Sequence, residues 1–209
     1  MDVQRLAREE RADLAAFLAT LTPHQWLAPT LCPQWRVRDV VAHVISYDDL
    51  DTRGLLTLAA QARFRLSRIN AIALARYTTR SPQQLLALLT DNPQPRGLLA
   101  TALGGRAGLV ETLIHHQDIR RALARPRTIP AQRLVPALRT ALIAPDVAGP
   151  WRIRGIRLVA TDLRFSAGVG PEVRGPAEAL LMAIAGRRDA VSELSGPGQR
   201  KLAARIGGL

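Results

Sequence analysis

Apolar positions recur at helical spacing through most of the first 124 residues. Val3, Leu6, Leu14, Phe17 and Leu18 share one face with Arg and Glu between them, which predicts an amphipathic helix over residues 3–20. Thr22 followed by Pro23 has the form of an N-cap with proline at the first helical position, predicting a short helical turn. Two prolines within residues 28–36 predict a loop. Val40, Val41, Val44 and Ile45 supply the buried face of a second helix that begins near Val37 and runs past Tyr47. The same periodicity continues over residues 55–78 from Leu55 through Ala73, predicting one long helix. Ser81-Pro82 opens a short helix through Leu89, residues 91–95 read as a loop, and residues 98–124 carry another helix with Gly104-Gly105 as a weak point near its start.

Beyond Arg125-Pro126 the pattern changes. A helix is expected over residues 130–144, then a turn-rich connector from Pro145 to Pro150. Residues 151–165 alternate apolar and polar, as in Trp151-Arg152-Ile153-Arg154 and Ile156-Arg157-Leu158, which predicts a half-buried strand. Glu172-Val173-Arg174 reads as a short strand and residues 176–186 as an Ala/Leu-rich helix. The expected architecture is mainly α: a helical bundle over residues 1–126, then a small α+β domain over residues 130–209.

Composition supports a helical chain and narrows the partners. Of the 209 residues 47% are hydrophobic, chiefly Ala and Leu, and only 4% are aromatic, a balance that favours helix. The net charge of +12 comes from 29 Lys+Arg against 17 Asp+Glu, and Lys201 is the sole lysine. The arginines are scattered over polar helix faces, with no dense basic run and no interleaved aromatics, so nucleic-acid binding is not favoured. A single cysteine, Cys32, excludes an intramolecular disulfide. No apolar run approaches the roughly 20 residues of a membrane helix, and the charged first ten residues lack a signal-peptide core, so a soluble cytoplasmic protein is expected.

Four histidines are the residues most able to carry chemistry: His24, His43, His115 and His116. His43 and His115 stand within strongly apolar helical segments, and a buried imidazole without partners costs on the order of 1–3 kcal/mol. Glu111 precedes His115 by four residues, which places both side chains on one helix face. With His43 from another helix they form a candidate His–Glu–His set for one divalent metal, open at its remaining positions. Such donors suit zinc and also accept iron, nickel or manganese. Spacing alone equally fits a hydrogen-bonded Glu–His pair beside an unrelated core histidine. Asp118, three residues after His115, is placed to orient a ligand imidazole, and Asp39, four before His43, is a second such candidate in the first turn of its helix. His116 points about 100° from His115, His24 reads as solvated, and Cys32 reads as packing rather than as a nucleophile. There is no G-x-S-x-G, P-loop or Cys-x-x-Cys.

The stretches Leu21–Trp26 and Pro29–His43 resemble the N-terminal signature of the mycothiol-dependent maleylpyruvate isomerase family, part of the wider DinB-like metalloproteins. Glu111–Asp118 looks like that family's second metal motif, and Gly155–Asp162 with Gly170–Leu181 is similar to its C-terminal domain. The resemblance implies a DinB-like four-helix bundle binding zinc or another divalent metal through His43, Glu111 and His115, followed by a sterol-carrier-like α+β unit. It also implies mycothiol as cofactor and a metal-dependent isomerase or transferase acting on a small electrophile. Arg174 and Arg187 are the candidates for holding substrate. Arg36 stands where the family commonly carries a Ser or Thr N-cap. The alternative is a non-catalytic, metal-stabilised binding or regulatory protein; monomer and homodimer both remain open.

Overall fold

The computed structural model describes residues 2–206 apart from Asp49, Pro145 and Asp146; the start of the connector expected at Pro145 therefore lies outside the described residues. The chain forms two compact units, Met1–Arg127 and Thr128–Leu209.

The first unit is helical. Helix α1 (Val3–Leu18) starts where the Asp2 side chain accepts the Arg5 amide, and α2 (Pro23–Trp26) where Thr22 and Gln25 cap each other reciprocally. Helix α3 (Val37–Ser46) is followed by α4 (Thr52–Gln61), α5 (Leu66–Ala75) and α6 (Pro82–Asp91), the last opened by a Ser81–Gln84 capping box. Helix α7 (Gly97–Thr101) leads through a 3-10 turn, Ala102–Gly105, into α8 (Arg106–Ala122). Helices α1, α8, α3 and α6 contact one another in a closed ring, the four-helix bundle. Leu14, Phe17 and Leu18 of α1 meet Val37, Val40, Val41, Val44 and Ile45 of α3, Leu85 and Leu89 of α6 and Ile119 of α8 in one apolar cluster. Each such side chain contributes about 1.5–3 kcal/mol on full burial, so the cluster holds the bundle together.

Two expectations for this unit change. The helix expected over residues 55–78 is a hairpin of two, broken where Arg63 (φ 52°) and Phe64 (φ 56°) adopt left-handed backbone. Leu58 and Ala73 pack in one cluster with Leu50, whereas a straight helix would hold positions 15 residues apart about 22 Å from each other. The helix expected over residues 98–124 is divided, because Gly105 (φ 87°) forms a left-handed N-cap that restarts it as α8.

The second unit begins with α9 (Ala131–Ala141), which contains Pro136, and α10 (Gly149–Arg152). Strands β1 (Arg157–Ala160), β2 (Ser166–Gly168) and β3 (Glu172–Gly175) form a sheet in the order β2-β1-β3. Leu158 pairs antiparallel with Ala167 and parallel with Val173. Helix α11 (Ala177–Ile184) packs on α9 and the sheet, and α12 (Gln199–Ile206) on β3 and a 3-10 segment, Arg188–Glu193. The strand expected from Trp151 starts only at Arg157. Gly149 and Pro150 instead open the helical turn of α10, and Arg152 donates to the Ile184 carbonyl at 2.8 Å. No described helix is long and apolar enough to cross a membrane.

Candidate metal centre

Helices α3 and α8 pack side by side and bring His43, Glu111 and His115 together, with one donor atom from each lying within 4.8 Å of the others. The Glu111–His115 spacing sets two of the donors one helical turn apart, and the apolar face of α3, buried in the bundle, carries the third inward. His43 Nε2 lies 3.0 Å from Glu111 Oε1. Burial pushes the Glu111 pKa up, but the His43 hydrogen bond and the charges of His43, His115 and Arg11 outweigh it, and the net shift is downward. Arg11 is itself fully buried, its guanidinium gripping the Asp48 carboxylate on both oxygens.

The imidazoles are held in different ways. His43 sits in an aromatic box, its centroid 4.7 Å from that of Trp35 and edge-on to Tyr47 at 5.6 Å, and its buried Nδ1 has no hydrogen-bond partner among the described residues. Packing therefore orients that ring together with its Nε2 contact to Glu111. Burial first, and the nearby Glu111 carboxylate second, push the Tyr47 phenol pKa upward, and its hydroxyl meets Asn70 Oδ1 at 2.5 Å. His115 is oriented by a hydrogen bond, Nδ1 to Asp118 Oδ2 at 3.0 Å, in which Nδ1 donates to the carboxylate and the lone pair falls on Nε2. The two rings meet edge-on at 4.9 Å.

Residues 28–36 form the loop expected from their prolines, but a tightly folded one. Pro29 bridges Arg36, Gln34 takes a left-handed φ of 67°, and the Leu31 amide reaches the Asp118 carbonyl at 3.4 Å. This fold delivers Trp35 to His43 and buries Cys32, whose thiol donates to Asp118 Oδ2 at 3.1 Å and lies 3.6 Å from His115 Nδ1. Sequence reasoning took Cys32 for packing; its place between two prolines just before the His43 helix was the signal available.

Asp39 serves the start of its own helix. It accepts the Arg36 amide at 2.9 Å in the first turn of α3, where a carboxylate serves the free N–H groups that Arg36 leaves without a side-chain cap. It does not reach His43 Nδ1. Arg174 lies half exposed on β3 with Nη1 2.8 Å from Glu172 Oε2, and Arg187, just after α11, donates to the Ala185 carbonyl at 2.5 Å. His24 is exposed on α2.

A second buried polar group went unread in the sequence. His116 is fully buried, its Nε2 receiving the Arg120 Nε–H at 2.8 Å and its Nδ1 2.9 Å from Glu10 Oε1. Nδ1 therefore carries the proton and donates to Glu10, which Arg127 also grips. For Glu10 burial acts upward, but the His116 hydrogen bond and Arg127 prevail and bring the pKa down to about 2. For His116 burial dominates, helped by Arg127 and opposed by the Glu10 hydrogen bond, and lowers the pKa to about 4. The ring is neutral and committed to this network.

The fold and the donor set together define a class: a two-unit, mainly helical protein with a His–Glu–His constellation between bundle helices. Residues 7–96 match the family model described as mycothiol maleylpyruvate isomerase N-terminal domain. The match covers 90 of the 209 residues, 7 to 96, and so makes this part of the first unit similar to that domain. Among solved structures it shares the fold of a crystal structure of the mycothiol-dependent maleylpyruvate isomerase, with a TM-score of 0.55 and 14% identity over 94% of this chain and 92% of that one. A histidine-to-alanine mutant of that isomerase matches with a TM-score of 0.54, again at 14% identity and over the same shares. No curated protein matches the chain.

Proposed function

We propose that the N-terminal unit binds one divalent cation through His43, Glu111 and His115, and that the protein is a cytoplasmic, mycothiol-dependent isomerase or transferase acting on a small electrophilic substrate. Zinc is the expected ion, and nickel, iron or manganese suit the same donors. The observation that carries the reading is the convergence of these three donors within 4.8 Å in a unit similar to that domain over residues 7–96. A bound divalent ion would supply Lewis acidity that lowers a thiol's pKa and makes thiolate available near neutral pH.

The chain's own residues prepare the place for that chemistry. Asp118 holds the proton of His115 on Nδ1 and so keeps Nε2 as the lone-pair nitrogen. The histidine and arginine charges around Glu111 favour its ionised form, the form that ligates. Trp35 and Tyr47 fix the His43 ring and shield it from water. The two residues able to close the set are engaged elsewhere, His116 with Glu10 and Arg120 and Asp118 with His115 and Cys32. Three protein donors with open positions favour catalysis over a closed structural site. Arg174 and Arg187 remain the proposed holders of an anionic substrate group.

The test is the metal content of the purified chain by mass spectrometry, wild type beside His43→Ala and His115→Ala, with circular dichroism to verify folding. We expect roughly one equivalent in wild type and its loss in both variants. Mycothiol-dependent turnover, tried first on maleylpyruvate, should vanish with the metal. A metal-free wild type, or folded variants that keep their metal, would overturn the reading.

A further inference from the structure

His115 also belongs to a second set of donors, with Cys32 and Asp118. Cys32 Sγ, His115 Nδ1 and Asp118 Oδ2 form a triangle with sides of 3.6 Å (S to N), 3.0 Å (N to O) and 3.1 Å (S to O). Zinc bond lengths at a tetrahedral centre place sulfur and nitrogen about 3.6 Å apart, sulfur and oxygen about 3.6 Å, and nitrogen and oxygen about 3.4 Å. The sulfur–nitrogen side already has that length. The two sides that meet at Asp118 are shorter because they are hydrogen bonds, and a small turn of the carboxylate lengthens both. Asp118 is fully buried and Cys32 nearly so, beneath a loop whose Pro33 and Gln34 face solvent.

We infer that Cys32, His115 Nδ1 and Asp118 form a second site, for a soft divalent cation such as cadmium or zinc. A thiolate in the set selects soft ions over the harder ones that the His–Glu–His set accepts. The protons balance simply in a chain with no ion on the first set: the Cys32 proton leaves to solvent, and the His115 proton moves from Nδ1 to Nε2. A neutral imidazole metallated on one nitrogen keeps its proton on the other, so the ring serves one set at a time. This geometry thus lets a thiophilic ion withdraw His115 from the first set. The inference depends on that set only through the shared ring.

The experiment is a titration of the metal-free full-length protein with cadmium, read by the near-ultraviolet charge-transfer absorption that marks a thiolate–cadmium bond. Wild type and His43→Ala should both develop the band, saturating at roughly one ion per chain. Cys32→Ser and Cys32→Ala should lose it, while still retaining metal on His43, Glu111 and His115. The loss of cadmium affinity at Cys32 should exceed the roughly 10- to 100-fold that an outer-shell partner contributes. No band in wild type, a band that survives in Cys32→Ser, or a band lost in folded His43→Ala would each overturn the second site. Because His43→Ala removes only the first set, failure of the two readings is distinguishable.

Discussion

At the scale of single residues, the balance that matters is between burial and partners. Glu10 is fully buried in an apolar bundle, yet the His116 hydrogen bond and Arg127 hold it ionised with a pKa of about 2, down from 4.5. A carboxylate whose folded pKa lies below its unfolded value stabilises the fold above the unfolded pKa, and that stability is lost as pH falls from 4.5 toward 2. The shift corresponds to about 3 kcal/mol. Glu10→Gln should therefore be less stable than wild type by about 3 kcal/mol at pH 7 in urea unfolding, and the gap should close with acidification through that window. His116, lowered from 6.5 to about 4, binds its proton more weakly folded than unfolded, and so adds an earlier loss as pH falls from 6.5 toward 4. A gap that stays constant with pH would show that Glu10 contributes by packing alone.

At the scale of elements, the site depends on where helices stop. Helix α3 ends at Ser46, and the chain then passes Tyr47, which walls His43, and Asp48, which receives Arg11. Gly97, at the start of α7, rests against this corner. A Cβ there would lie 2.1 Å from the Tyr47 carbonyl oxygen, and its φ of 81° disfavours any side chain. Gly104 also has a positive φ, 68°, but a Cβ there meets nothing within 4 Å. Gly104→Ala should cost only the backbone strain of about 1–2 kcal/mol, whereas Gly97→Ala adds overlap with main chain, typically another 1–3 kcal/mol. Thermal unfolding of the two variants checks this, and equal shifts in Tm would refute the close approach.

At the scale of the whole molecule, every donor proposed for either site, and every residue that orients one, lies in Met1–Arg127, which has its own core. A fragment of residues 1–127 should fold and keep metal in the amount the full chain does, while thiol-dependent turnover should need residues 128–209, which carry Arg174 and Arg187. Circular dichroism and metal analysis of the fragment decide the first part, and activity the second. A helical fragment that loses the metal would mean that the second unit is needed for binding.

The sequence by itself determined the elements whose cause is local. Apolar periodicity marked α1 and α3, because one buried stripe per helix suffices to write the pattern, and Thr22-Pro23 and Ser81-Pro82 announced the starts of α2 and α6 by capping chemistry. The Glu111–His115 pairing was legible because it lies within one helix, and the motif around His43 pointed to the family. Tertiary structure alone decided the rest. The break at Arg63-Phe64 carries neither glycine nor proline and exists because Leu58 and Ala73 must share a cluster. Trp151–Arg154 alternates like a strand, yet proline and the reach of Arg152 to Ile184 put Trp151 and Arg152 in a helical turn. Glu10 meets His116 across 106 positions, and Cys32 meets Asp118 across 86. Such pairings leave no periodicity in the chain, because the partner that makes burying a charge or a thiol tolerable is brought by the fold and not by the neighbouring residues.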